Sequence, residues 1–532
     1  GGAWTLEVQV SDEGVAYRYL VPGTGRRRVE GEATAFAVPE DALLWAMTNT
    51  ANYEGEYRGK RRAAEIEAER QRENGSTHDV HLGMPLTMEL ADGTYAAITE
   101  ANILGYSGAT LDARGTNVFP VVFEDDRGGF TVEGDLATPW RVVMTGPTLD
   151  DLVNCGIVPA VCPPPDAELF PEGIETAWLK PGRSGWQWWA FGSDGTEWSR
   201  QKELVDGFAE LGAEYYLVDD GWEQPHRGWF DESGSPWPRM KELVEHAREK
   251  GVGIWVWRAW REYPEHQHPG LETPEKREAF FAKCAEVGVV GAKIDFMDAE
   301  SHDILAFYED CLRRAAKHRV MVNFHGAYKP AGEARTWPNE MTREGIRGLE
   351  QNRWTTLPRM HYAALPFTRL LAGHGDFTPT TFKADFAKGT TFACQLATAV
   401  VYTSPILCWA DEPRVYMESP AAAWIRAMPA VWDETRVLEP SAIGEVAVFA
   451  RRSGEAWWLG VINGEEGRTI EVDLSFLGGG DGAGWTLASV SDVAGEHPEM
   501  RVEGARAFDP SAPLKIELEA GGGFVGRIER AP

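Results

Sequence analysis

Residues 215–222 read Tyr-Tyr-Leu-Val-Asp-Asp-Gly-Trp: four apolar residues without alternation, then two carboxylates, a glycine and an indole. An unbroken apolar run of this length is what a strand buried on both faces requires, as in a parallel sheet covered by helices. The unit recurs downstream. Val252–Trp257 gives way to Arg258 and Trp260. Val289–Ile294 carries Lys293 and ends in Asp295-Phe296-Met297-Asp298, and Val320–Val322 ends in Asn323-Phe324-His325-Gly326. Between these runs the helical period is carried by Glu203–Leu211, Met240–Lys250, Pro274–Val287 and Asp303–His318. Four or five consecutive strand–helix units predict a closed (β/α)8 TIM barrel rather than an open sheet. No GxGxxG follows a strand and no Walker loop is present, which removes the main nucleotide-binding alternatives.

Outward from this centre the pattern changes. Upstream, Trp4, Leu6, Val8 and Val10 alternate with polar residues, as do Val15, Tyr17 and Tyr19 after a turn at Asp12-Glu13-Gly14. Thr94–Ile98, Phe130–Val132 and Trp140–Met144 continue the alternation, so the first part predicts a β-sandwich. Arg58–Arg72, dense in Arg, Glu and Ala, reads as a solvated loop or short helix, and Pro163-Pro164-Pro165 as a stiff linker. Downstream of about Leu438, alternation returns at Val446–Ala450, Trp457–Ile462, Ile470–Leu474 and Leu514–Leu518, with turns at Asn463-Gly464 and Gly478–Gly482. The expected architecture is multidomain, α/β plus β: an N-terminal sandwich over 1–165, a barrel over 166–435 and a C-terminal sandwich over 436–532.

The 532 residues include 52 basic and 82 acidic side chains, a net charge of −30 that repels phosphate backbones and argues against nucleic acid as a partner. At 43% hydrophobic and 25% charged, the chain is ordinary globular material. Its longest apolar stretch, Ala393–Ala410, is broken by Gln395, Thr398, Thr403, Ser404 and Pro405, so no membrane span is expected. The chain holds 22 Trp and 14 Tyr, and flat aromatic faces stack on sugar rings, an excess that leans towards carbohydrate. Six cysteines show no CxxC pair and no zinc spacing; most are expected to be buried thiols, with Cys155 and Cys162 the pair placed for a disulfide. The chain starts Gly-Gly without Met and shows no signal peptide; removal of a leader would make it periplasmic or secreted, and the compartment is not legible beyond a soluble protein. Oligomeric state is not legible.

In a barrel, catalytic groups lie at the C-terminal ends of strands. That rule gathers Asp219, Asp220 and Trp222, then Trp260, Lys293, Asp295 and Asp298, then Asn323 and His325, on one rim. Sugar hydrolysis needs such a set: carboxylates for catalysis, polar groups for hydroxyls, indoles for ring faces. Asp219 and Asp220 also suit a cap, and Asp298 reads better as a helix N-cap than as a site residue. Lys293 and Asp295, two apart, point the same way from their strand, and a buried Lys keeps a neighbouring carboxylate ionised. The segment Asn339–Glu350 carries three further Glu after Asn339 and two Arg, which by charge alone suits an exposed helix.

At these residues a resemblance becomes specific. From about Ala177 to Asn352 the chain resembles glycoside hydrolase family 97, through Leu179–Gly182, Val218–Trp222, Gly291–Phe296, Asn323–Pro330 and Met341–Glu350; upstream, Ile98–Ala101 also matches. The family's order of an N-terminal β-supersandwich, a barrel and a C-terminal sandwich is the order derived above. The resemblance implies a glycosidase of the retaining branch. Inverting members carry a Glu base where this chain has Gly326 and lack an Asp at the place of Asp295. It further implies Asp295 as nucleophile, Glu350 as acid/base, an exo mode of attack, and Ca²⁺ held by Glu100, Glu344 and Glu350, hard oxygen ligands that suit this ion. An α-galactoside is the expected substrate, with α-glucoside or β-L-arabinopyranoside as near alternatives. A carbohydrate-binding protein on a dead barrel would need neither Asp295 nor Glu350. A metal-dependent sugar isomerase would need several His ligands grouped with Asp at the strand ends, and the rim gathered above has the single His325.

Overall fold

A computed structural model describes residues 3–48, 50–66, 81–114, 116–478, 484–495 and 498–531. Seven parallel strands form the central sheet: β1 (Gly182–Trp186), β2 (Tyr215–Val218), β3 (Gly253–Ala259), β4 (Gly291–Asp295), β5 (Met321–Phe324), β6 (Glu340–Arg343) and β7 (Ile406–Trp409). They pair in the order β6-β5-β4-β3-β2-β1-β7, a barrel wall open at one place. Into that opening runs an irregular segment in which the amide of Asp376 donates to the carbonyl of Arg343 (2.8 Å) and that of Gly375 to the carbonyl of Thr403 (3.0 Å). It replaces the regular eighth strand that strand–helix repetition predicts. The strands are apolar because both faces are covered: β2, β5 and β7 are buried throughout.

The covering helices lie where the period puts them, Trp198–Glu210, Trp237–Glu249, Pro274–Val287 and His302–Lys317. Their starts follow local chemistry: the hydroxyl of Thr273 accepts from Lys276 N and that of Ser301 from Ile304 N. Ser301, rather than Asp298, is therefore the N-cap. The apolar stretch after Ala393 resolves into a buried helix, Phe392–Val401, followed by β7. Among the described residues no helix is long and apolar enough to cross a membrane.

The N-terminal region packs an eight-stranded antiparallel sheet on a four-stranded one. The strand Thr5–Ser11 alternates as expected and lies at the edge of its sheet, with Trp4, Leu6, Val8 and Val10 exposed rather than packed in the sandwich core. Arg58–Arg61 is a strand rather than a loop, while 63–66 is helical, as the short-helix alternative had it; 67–72 of that segment lies outside the described residues, as does 479–482 of the predicted Gly478–Gly482 turn. The C-terminal region is a six-stranded sheet facing a two-stranded one, with Val448, Leu459, Ile470 and Ile516 among the side chains between them. It lies against the Phe392–Val401 helix so closely that a Cβ on Gly460 would stand 2.8 Å from Val400. All six cysteines are free, so the Cys155–Cys162 disulfide does not form: the Cys162 thiol contacts the carbonyls of Val158 (3.3 Å) and Ala331 (3.6 Å) instead.

Candidate active site

The C-terminal ends of the strands, with one loop from the sandwich, enclose a cavity of about 310 Å³ lined by polar and aromatic side chains. Its floor is built from consecutive strands. Asp219, just past β2, accepts from the ammonium of Lys293 on β4 (2.8 Å) and from the indole N–H of Trp186 on β1. Asp295, the last residue of β4, accepts from the indole N–H of Trp257 on β3 (2.8 Å) and from the amide of Phe296 (2.8 Å), with the Lys293 ammonium 3.7 Å away. Burial pushes the Asp295 carboxyl up, and Lys293 and His325 pull it back towards the ionised form. Burial works against the charge of Lys293, but Asp219, Asp295 and Glu350 together hold its pKa above the ordinary lysine value. Asp220 points elsewhere in the same cavity. Burial first, then the charges of Asp219 and Asp295, raise it to about 7.

Opposite this floor stand Glu344 and Glu350, which follow β6. Glu344 accepts from Gly326 N (2.9 Å) and faces the His325 imidazole (3.1 Å), whose other nitrogen meets Asp376 (2.9 Å). Two carboxylates on one buried ring favour imidazolium despite desolvation, and the His325 pKa lies well above its ordinary value. Among the described residues Glu350 makes no ion pair. Burial and the charge of Glu344 push it up to about 8, against weaker help from Lys293 and His325, which favours the protonated carboxyl. One buried carboxyl beside a lysine and another kept protonated form the acid and nucleophile pattern of a two-carboxylate hydrolase.

Gly326 has φ +51°, and a Cβ there would lie 2.9 Å from the Phe296 backbone and 3.0 Å from the Asp298 carboxylate. The turn is thus shaped around an absent side chain. No carboxylate can project from this position to activate a water.

Of the residues selected from sequence, Asp219, Asp220, Lys293, Asp295, His325, Glu344 and Glu350 line the cavity, and so does Asp298. Four others do not. Trp222 is fully buried, its indole donating to the carbonyl of Trp257 (2.9 Å). Trp260 packs edge-on against Phe307 outside the cavity, and Asn323 lies beneath it, donating to Asp376 (2.7 Å). Glu100 is buried in the sandwich, bonded by Arg141 and by Lys329 (2.8 Å), away from Glu344 and Glu350. Its place as the sandwich's carboxylate in the cavity belongs to Glu54, which burial, then Glu344, Glu350 and Asp295, raise to about 9. Glu54 sits in a loop with no periodicity, next to Tyr53 at φ +58°, and nothing in the sequence singles it out. Trp186, Trp188, Trp257 and Trp354 supply the aromatic lining expected of Trp222 and Trp260.

A larger cavity, about 620 Å³, opens at the other end of the barrel, among Pro405, Met341, Trp432 and Arg451. It lies where the strands begin, the end at which barrels carry stability rather than catalysis.

Comparison with known proteins gives a consistent picture. Residues 178–346 match the family model for glycoside hydrolase 97, 1–164 the glycosyl-hydrolase 97 N-terminal domain, and 431–529 the glycosyl-hydrolase 97 C-terminal domain, described as an oligomerisation domain. A protein named probable retaining alpha-galactosidase from Streptomyces bingchenggensis is 35% identical over 98% of this chain and 77% of its own length. The retaining alpha-galactosidase of Bacteroides thetaiotaomicron is 28% identical over 99% of this chain and 83% of its own. Among solved structures, a variant of a glycoside hydrolase family 97 enzyme from Pseudoalteromonas superposes with a TM-score of 0.85 at 26% identity, covering 100% of this chain and 86% of that one.

Proposed function

Since the chain belongs to glycoside hydrolase family 97, we propose that it hydrolyses terminal α-galactosides with retention of anomeric configuration. The observation that carries the reading is Asp295 at the end of β4, held beside Lys293 in the same cavity as Glu350, whose carboxyl burial and Glu344 push towards the protonated form, with glycine at 326. An Asp295 oxygen attacks the anomeric carbon while the bond to the leaving oxygen breaks, and Glu350 gives that oxygen its proton. Water then attacks the same carbon, passes a proton back to Glu350 and frees Asp295. Asp219, Asp220 and His325 are polar partners for ring hydroxyls. The choice of galactoside over glucoside or arabinopyranoside is supported by the names of the two relatives. Proton NMR of the earliest product from an α-galactoside tests the whole: the α-anomer is expected first, and initial release of the β-anomer would sink Asp295 as nucleophile. Parallel assays on α-glucoside and β-L-arabinopyranoside decide the glycone.

The resemblance also implies calcium. Glu100, already neutralised by Arg141 and Lys329, does not fit a ligand set with Glu344 and Glu350. The chemistry of the cavity does suit a hard divalent cation: Glu54, Glu344 and Glu350 line it together, Glu344 raises the cost of ionising both Glu54 and Glu350, and Glu350 that of ionising Glu54. Among the described residues, no three acidic, His or Cys donors are drawn together around one point. The calcium reading therefore rests on charge and donor type. Bound there by Glu54, Glu344 and Glu350, the ion would supply positive charge beside the reacting bond and offset the repulsion between the carboxylates of Glu54 and Glu344.

A further inference from the structure

Trp354 is 59% exposed, a large apolar surface left in water at the edge of the cavity. A lone exposed indole on a protein surface needs no explanation. This one ends a graded run. Trp186, buried on the floor, stacks on Trp188 (centroids 6.2 Å apart, planes at 20°), and Trp188 meets Trp354 (6.1 Å, 52°). The guanidinium of Arg353 lies 5.2 Å from the Trp188 ring and bonds the carbonyl of Trp189, which helps to hold Trp188 in place. Two indoles held at an angle on one rim make a shallow apolar seat. Its direction follows from the chain: Glu350 and Trp354 lie four residues apart at the two ends of the Leu349–Arg353 turn and its cap. The floor, with Asp295, Lys293 and Asp219, takes the ring that is attacked; the group leaving by way of Glu350 has to lie at the Trp354 side.

We propose that Trp354 and Trp188 form a binding site for the leaving group, of a kind that takes a pyranose by its apolar C–H face. The inference rests on the glycosidase reading above and names the other half of its substrate. Stacking on a π-face is tolerant of hydroxyl pattern and favours a ring over a small or linear aglycone. The same seat serves an incoming sugar. Its hydroxyl oxygen attacks the anomeric carbon as the ester bond to Asp295 breaks, and its proton goes to the Glu350 carboxylate, so transfer competes with hydrolysis.

The test compares a disaccharide with the glycosyl fluoride of the same glycone, since fluoride has no ring to stack. In Trp354→Ala the ratio of kcat/KM for disaccharide to that for fluoride is expected to fall about tenfold, the size of one aromatic contact. Trp354→Phe is expected to recover most of it. The share of glycosyl-enzyme captured by an added methyl glycoside, against water, should fall in parallel. Trp354 is more than half exposed, so truncation leaves the core in place. A ratio and a capture share both within twofold of wild type overturn the site. A wild-type chain inert towards galactosyl, glucosyl and arabinosyl fluorides instead defeats the glycosidase reading, and the leaving-group site with it.

Discussion

At Glu350 two demands meet: the carboxyl must hold a proton while the glycosidic bond is intact and give it up as the bond breaks. Burial beside Glu344 meets the first, with the pKa at about 8. The second makes the leaving group the natural probe. Nitrophenolate departs without a proton, whereas a sugar alkoxide does not. Glu350→Ala is therefore expected to slow hydrolysis of natural glycosides by about 10²–10⁴-fold, and to spare glycosyl-enzyme formation from a nitrophenyl glycoside. Azide should speed the second step in this variant by attacking without a base, and Asp295→Ala should slow both substrates alike. Calcium content is to be measured alongside. Equal slowing of both substrates by Glu350→Ala, with no azide effect, would move the acid/base role to another carboxylate on the rim, Asp219 or Asp220 first.

Strands that end together bring their terminal polar residues together, and this crowds like charges. Asp219 and Asp220 follow β2 and Asp295 ends β4, so that burial first, and then the charges of Asp219 and Asp295, raise Asp220 from 3.8 to about 7. A raised carboxyl favours the folded state fully below its ordinary pKa, and that contribution is lost as pH rises through the folded value. Asp220→Asn should accordingly gain in melting temperature relative to wild type between pH 5 and pH 8, by about 1–3 °C. An equal difference at both pH values would mean that Asp220 ionises as freely folded as unfolded. The same geometry explains what could be read from sequence. A buried parallel strand is an apolar run that stops at a polar residue, so Lys293, Asp295 and Asp219 were legible one by one. Trp222 follows a strand end too, but its chain turns inward and the indole finds the Trp257 carbonyl. Glu54, Asp376 and Trp354 come from a loop, from the irregular segment that stands in for the eighth strand, and from the cap of a short turn. Periodicity says nothing about where such segments aim their side chains. Glu100 matched a family motif, yet its surroundings, Arg141 and Lys329, come from distant parts of the chain.

Across the whole molecule, sandwich and barrel are joined through buried charge. Lys329, beyond β5, is fully buried and bonds Glu100 of the sandwich (2.8 Å) and Glu300 of the barrel (2.6 Å), while Arg141 bonds both Glu100 and Glu32. Glu54 reaches the cavity from the same side of this junction. Calcium held by Glu54, Glu344 and Glu350 would therefore clamp two domains, and its binding would stabilise the folded chain by about 2.7 kcal/mol at a hundredfold excess over Kd. Chelation is expected to lower both activity and melting temperature, and added calcium to restore them. Glu54→Gln should shrink the calcium-dependent rise in melting temperature, while Glu100→Gln should lower stability with and without the ion equally. Activity and melting unchanged in metal-free protein would remove calcium and leave the nucleophile untouched. The turn at Gly326 carries a consequence for descent. The family resemblance gives inverting relatives a Glu there, but this backbone has a left-handed φ and no room for a first carbon. A mutation to Glu would meet the Phe296 backbone before it met a water. The two stereochemical outcomes are therefore not neighbours in sequence space. A lineage passing from one to the other has to reshape the loop after β4 first, through ancestors in which that change had no catalytic benefit of its own.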